Sequence, residues 1–344
     1  MANELKNKLY PRKVLRVKDT TTKDDIIHQC TEVQIAAVTN DAYAIKYIDN
    51  PCLEVQLAAV QQNGNAIQYI DNPSPEIQMA AVRQKGEAIG QIKNPCLEVQ
   101  LAAVSKYGWT IEYIKDPCLE VQLAAVKQNG YAIEYIKDPS LEVQMAAVRQ
   151  NSTDIKYIKD PCLEVQLAAV QEYGSTICFI KDPCLEVQLA AVQQYGYAIE
   201  YIKNPCLEVQ MAAVRQNSTA IKYIKDPCLK VQLAAVKQNG HTLKYIQDPY
   251  TKVKLAAVYK NPVAIKYIKF PKNSVKLLAI TKDIRAAVYI KNINPDLEKV
   301  LISKINTDKN KAIRLLNVIK KLIKLGYIDC HDLDDELQLL IELS

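Results

Sequence analysis

The chain is 344 residues long, 49% apolar, and carries 44 basic and 38 acidic groups for a net charge of +6. Its apolar runs are short and broken by Gln, Glu or Lys, so no membrane span is expected. The charge is uneven: 7 basic to 4 acidic groups over residues 1–28, 14 to 22 over 29–218, and 23 to 12 over 219–344, which confines any polyanion-binding role to the C-terminal third.

Residues 1–28 form a basic segment or cap whose start, MANELKNKLYPRKVLRVKD, lacks the apolar stretch of a secretory signal, and a cytoplasmic location is the expectation. From 29 to 292 a 22-residue unit with consensus DPCLEVQLAAVKQNGYAIEYIK recurs about twelve times without a gap. Its proline falls every 22 residues from Pro51 to Pro271, and Gln29 holds that slot one unit earlier. A fixed period of this size predicts an all-α solenoid in which each unit packs only on its neighbours.

In the unit 116–137, Asp116 and Pro117 make a turn, Cys118 caps a helix over LEVQLAAVKQN, and Gly130 stops it. Ser74-Pro75-Glu76 supports that placement, with Ser at the cap and Pro at the first helical position. A shorter second helix, YAIEYIK, runs to the next Asp-Pro, so each unit is a two-helix hairpin. Leu119, Leu123 and Val126, flanked by Val121 and Ala125, form the inward stripe, while Glu120, Ala124, Lys127 and Gln128 face away. On the second helix Ile133 and Ile136 are core; the Ile136 column is isoleucine in all twelve units from Ile48 to Ile290. Gln122 belongs to a column of ten glutamines from Gln34 to Gln232. An inter-repeat hydrogen-bond ladder to the carboxylate or amide in the Asp116 column would satisfy its buried amide.

Eight of the ten cysteines, Cys30, Cys52, Cys96, Cys118, Cys162, Cys184, Cys206 and Cys228, share one column with Ser74 and Ser140. Neighbours in it are expected roughly 8 to 10 Å apart, beyond the disulfide limit of about 7 Å between Cα atoms. No CxxC or Cys/His pair has metal-ligand spacing. Reduced structural cysteines are expected, with no metal and no cofactor.

The arrangement D-P-x-x-x-V-Q-x-A-A resembles the HEAT-like and leucine-rich-repeat-variant short α-solenoids. LAAVKQNGYAIEYI is also similar to repeats of unknown function in protists, giant viruses, bacteria and phages. The resemblance covers 29–292 and implies a right-handed superhelix, with glutamine here where the family's ladder usually has arginine. The iron-sulfur cluster of one leucine-rich-repeat-variant protein is not carried over, because residues 1–29 contain no cysteine.

Specificity must lie where copies differ. The Lys127 column includes Arg83, Arg149 and Arg215, and the inter-helix turn carries Tyr107, Trp109, Tyr131, Tyr173, Tyr195, Tyr197 and His241. This aromatic edge with its arginines is the candidate protein-binding surface; the alternative is that the rings cover the gap between adjacent turns. The tyrosine column from Tyr47 to Tyr289 lies beside lysines Lys93 to Lys225, and packing with solvated lysines is expected there over base stacking.

After the tenth repeat the signature decays: Lys230 and Lys252 replace Glu, Lys254 and Lys276 replace Gln, and Pro262 replaces Gly. Lys252, Lys254, Lys260 and Lys276 make an alternative, basic surface for nucleic acid. Residues 293–344 abandon the period for longer helices, KAIRLLNVIKKLIKLG and DLDDELQLLIEL, which read as a helical C-terminal cap or a homodimerisation element. His28, His241 and His331 are far apart, and no phosphate loop, dinucleotide motif, HExxH or nucleophile elbow occurs, so no enzyme is expected. The reading is a non-enzymatic scaffold for a protein partner, of viral, phage or host-directed type (anti-defence or effector-like), acting in the cytoplasm, the host's if viral. Its alternative is a nucleic-acid-binding α-solenoid using the basic C-terminal third.

Overall fold

The computed structural model describes residues 31–307, 316–333, 337–338 and 341. The basic segment 1–28, with His28, and then Gln29, Cys30 and parts of both C-terminal helical stretches lie outside the described residues. All regular structure among the described residues is helical, and the chain divides into two compact units, Met1–Val165 and Gln166–Ser344. Within each, helix pairs recur every 22 residues and pack on their neighbours, as in an α-solenoid.

In the first unit, the ten-residue α-helix Leu119–Gln128 is followed by a six-residue 3₁₀ helix, Gly130–Tyr135. Asn129 sits between them in extended backbone, its N–H donating to the Ala125 carbonyl at 3.0 Å and its Oδ1 accepting the Tyr131 N–H at 3.1 Å. One residue ends the first helix and caps the second. The stop is therefore Asn129, and Gly130 opens the 3₁₀ helix. Glycine is needed there for close approach: at the equivalent Gly108 a Cβ would lie 2.4 Å from the Ala125 carbonyl oxygen. The 3₁₀ helix closes at Ile136, and Asp138 then takes a left-handed φ of 48°, as Asp116 does at 47°. Asp and Asn tolerate that region better than most residues, which accounts for their column.

The buried arc of the α-helix is rotated from the expected stripe. Val121, Ala125 and Val126 are fully buried, whereas Leu119 is 46% exposed and Leu123 half-buried. The slim 3₁₀ helix, with Ala132, Ile133 and the buried Ile136 that follows it, is the partner of that arc, and the leucine that begins the helix stays outside.

Gln122 lies inside the arc as expected, but its Nε2 donates to the Pro117 carbonyl at 2.8 Å, within its own repeat. Gln100 and Gln144 bond Pro95 and Pro139 alike, and in the second unit Gln188, Gln210 and Gln232 do the same. The expected ladder to Asp116 does not form, because that residue serves the left-handed turn and is exposed. The seam is held by the glutamine expected to face away. Gln128 Oε1 accepts the Gly108 N–H at 2.7 Å, and Gln84–Gly64 and Gln150–Gly130 repeat the bond at 2.7 and 3.0 Å. In the second unit Gln194 and Gln216 serve Gly174 and Gly196, and Asn261 serves Gly240. The helices Pro295–Thr307 and Leu316–Lys324 end that unit, burying Leu297, Leu301 and Ile305, and Ile319 and Leu322.

Candidate interaction surfaces

Two rows of side chains run along the repeats, one on the 3₁₀ helices and one on the α-helices. On the first, Trp109 is half-buried, with its ring 6.2 Å from Tyr107 and 6.0 Å from Tyr113. Tyr131 stacks edge-on with Tyr135 and with Tyr157 of the next repeat, at 5.5 and 4.9 Å, and shares a 3.0 Å hydroxyl bond with Tyr135. The Glu134 carboxylate, and then the Tyr135 hydroxyl, hold the Tyr131 phenol well above its ordinary pKa. In the second unit Tyr195 meets Tyr197 and Tyr197 meets Tyr223, at 5.5 and 5.7 Å, while Tyr173 is 52% exposed. Tyr131 and Tyr197 thus bridge the step to the next repeat, while the Trp109 contacts stay within its own, and Tyr107, Tyr173 and Tyr195 keep much of their surface in water. Lysine ammoniums lie over several of them, Lys222, Lys244 and Lys266 at 4.4, 4.6 and 5.0 Å from the Tyr223, Tyr245 and Tyr267 centroids.

Arg83, Arg149 and Arg215 belong to the other row, exposed on the last turns of their α-helices. In the first unit Arg149 lines an open groove of about 540 Å³ with Leu123, Lys127, Leu141, Met145 and Glu142. Its ends differ in charge, since Glu142 stands on the first helical turn and Lys127 and Arg149 on the last. The leucine row missed by sequence reasoning is Leu53, Leu97, Leu119, Leu141 and Leu163, all exposed, of which Leu141 lines this groove. Each is followed by an exposed glutamate, from Glu54 to Glu164, with Thr31-Glu32 and Pro75-Glu76 at the two repeats of the unit lacking leucine. Glu98 is held below the usual carboxylate range by its own backbone N–H and then by the Cys96 thiol. The signal was the cap itself, because a residue at the first helical position is the one least covered by the next turn.

The cap column also differs from expectation. Cys52, Cys96, Cys118, Cys184, Cys206 and Cys228 are free, exposed and make no side-chain cap bond. Ser74 and Ser140 in the same column do, accepting the Ile77 and Val143 N–H groups at 3.4 Å. Among the described residues no group of His, Cys, Asp and Glu could hold a metal ion, and no helix is long and apolar enough to cross a membrane.

Of the alternative basic set, Lys252 and Lys260 are exposed and Lys254 is half-buried. Lys276 is occupied, donating to the carbonyls of Lys291 and Asn292 at 3.2 and 3.0 Å. Comparison with family models, curated proteins and solved structures yields no match to this chain.

Proposed function

We propose that the protein is a non-enzymatic repeat scaffold that binds a protein partner along its α-helical row. The supporting observation is a leucine left 39% to 47% exposed in seven repeats, at Leu53, Leu97, Leu119, Leu141 and Leu163, and again at Leu185 and Leu207. Aligned apolar side chains rimmed by charge mark a surface that gains from being covered. The partner segment that fits is an amphipathic helix with apolar anchors seven residues apart. Its anchors are spaced about 10.5 Å, close to the roughly 8 to 10 Å between packed helices. Basic side chains beside those anchors would meet the glutamate row. Trp109, Tyr107, Tyr131, Tyr173, Tyr195 and Tyr197 supply a second contact edge on this reading. The Asp-Pro turn that opens the α-helices supports a place among HEAT-like or leucine-rich-repeat-variant arrays, and a viral or host-directed role is proposed on the repeat resemblance alone.

The test compares proteins captured from the native cell by the wild type and by Leu97→Ser/Leu119→Ser/Leu141→Ser. A partner that depends on the row is lost with the variant; an unchanged set of captured proteins sinks the reading. Alanine at Trp109, Tyr107, Tyr131, Tyr195 and Tyr197 tests the aromatic edge in the same assay, where loss of a true anchor costs thirtyfold or more in affinity, about 2 kcal/mol.

A second reading, single-stranded nucleic acid on the second unit, is favoured by 17 basic against 5 acidic residues from 222 to 304 and by the Lys222, Lys244 and Lys266 ammoniums over tyrosine rings. Titration of a labelled oligonucleotide at several salt concentrations checks it, a flat salt dependence being incompatible with phosphate contacts.

A further inference from the structure

The α-helical row changes character within the second unit. In the first, the residue after each exposed leucine is acidic, at Glu54, Glu98, Glu120, Glu142 and Glu164, all exposed and in no ion pair among the described residues. In the second, the column stays acidic at Glu186 and Glu208 and then turns to Lys230 and Lys252. Around them the cap column becomes Tyr250, 54% exposed, and the last-turn column becomes Tyr259, 62% exposed. Phe270, which takes the slot of the left-handed Asp or Asn, is 88% exposed. The Lys282 ammonium sits 4.0 Å from the Tyr259 ring centroid, so charge and aromatic surface coincide.

An exposed phenylalanine and two exposed tyrosines within two successive repeats are a costly surface for a chain alone, and aromatic anchors of this kind are the usual centres of interfaces. What would cover them must be apolar and negatively charged. The first unit presents that combination in its exposed leucines, each followed by an exposed glutamate, with half-buried Leu123 and Met145 in a groove whose other end carries Lys127 and Arg149. We propose that the second unit's Lys230, Lys252, Tyr250, Tyr259 and Phe270 dock on the leucine and glutamate row of the first unit of another copy of this chain. The contact is heterologous, one patch against a different patch, so it builds a closed ring or a longer chain of copies. It uses the same row as the partner-binding reading, and self-association would then compete with that partner.

The experiment is sedimentation of the purified full chain over a concentration series, at low salt and at about 1 M salt, where the Debye length falls to about 3 Å. Association at low salt that weakens at high salt is expected. Glu98→Lys/Glu120→Lys/Glu142→Lys sets lysine against lysine, and Lys230→Glu/Lys252→Glu sets glutamate against glutamate. Each variant alone should stay monomeric, while their equimolar mixture should associate again, because each then offers the other the opposite charge. Phe270→Ala should weaken wild-type association roughly tenfold or more without changing any charge. All these positions are exposed, and circular dichroism confirms that each variant folds. A wild type that remains monomeric, swaps that leave association intact, or a mixture that fails to associate overturns the proposal. The capture experiment above reads a foreign partner and gives its answer independently of this one.

Discussion

Gln150 Oε1 accepts the backbone N–H of Gly130 at 3.0 Å, joining the end of one α-helix to the start of the preceding repeat's 3₁₀ helix. Gly130 is buried, so removing the acceptor leaves its N–H without a partner. Gln150→Leu is expected to lower stability by about 1 to 3 kcal/mol. A urea midpoint unchanged within error would show that the seam does not depend on this bond.

Gly108→Ala should be at least as damaging. A Cβ there would press on the Ala125 backbone oxygen at 2.4 Å, and backbone on both sides of a packed seam has little room to yield. The expected cost is about 1 to 3 kcal/mol. Gly90→Ala is the control: its Cβ would meet only the Tyr113 side chain, at 3.1 Å, on an exposed residue, and thermal unfolding should barely move.

Cys118→Ser should stabilise slightly. Cys118 has the extended N-cap backbone but no side-chain bond, whereas Ser140 in the same column caps Val143. A gain of up to about 1 kcal/mol is expected, additive with Cys162→Ser. Loss of fold in the double variant would assign the thiols a role that packing does not.

Asp154 stands in a column otherwise filled by alanine or threonine. It is 4% exposed, with Oδ2 unpartnered and Oδ1 accepting from the Asn151 side chain at 3.3 Å. Burial raises its pKa, the Lys156 charge opposing in part. The native state therefore holds the proton more tightly than the unfolded chain. Its penalty is absent below the ordinary carboxylate pKa of about 3.9 and grows as pH rises through the raised native value. Asp154→Ala should thus stabilise by about 1 to 3 kcal/mol at pH 7 and much less near pH 4. Equal effects at both pH values would contradict the burial argument.

The period, the Asp-Pro register, the Ile133 and Ile136 core and the serine caps were legible because each is a property of one column. What was not legible depended on choosing between like columns. A ten-residue helix has fewer than three turns, so Leu119, Leu123 and Val126 compete with Val121, Ala125 and Val126 as the apolar face. Only the position of the 3₁₀ partner decides between them. Gln122 and Gln128 are the same residue type, and nothing along the chain says that one bonds its own Pro117 while the other reaches 20 residues back to Gly108. The Asp116 column reads as the partner of the buried Gln122 amide, whereas its use is conformational. The two surface rows were mixed for the same reason: Arg149 and Tyr131 are both variable positions, yet they stand on different helices of their repeats.

At Gly64–Gln84, Gly108–Gln128 and Gly130–Gln150 the seam bond is made between equivalent atoms, so these repeats offer their neighbours the same lock and the same key, whereas Lys106 in that column donates instead to the Arg83 and Gln84 carbonyls. Between joints that carry this pair, excising or inserting 22 residues restores both halves, whereas a change that is not a multiple of 22 leaves a glutamine facing no glycine. Length in this protein is therefore heritable in whole repeats, and a lineage can change how far it reaches without reinventing how it holds together.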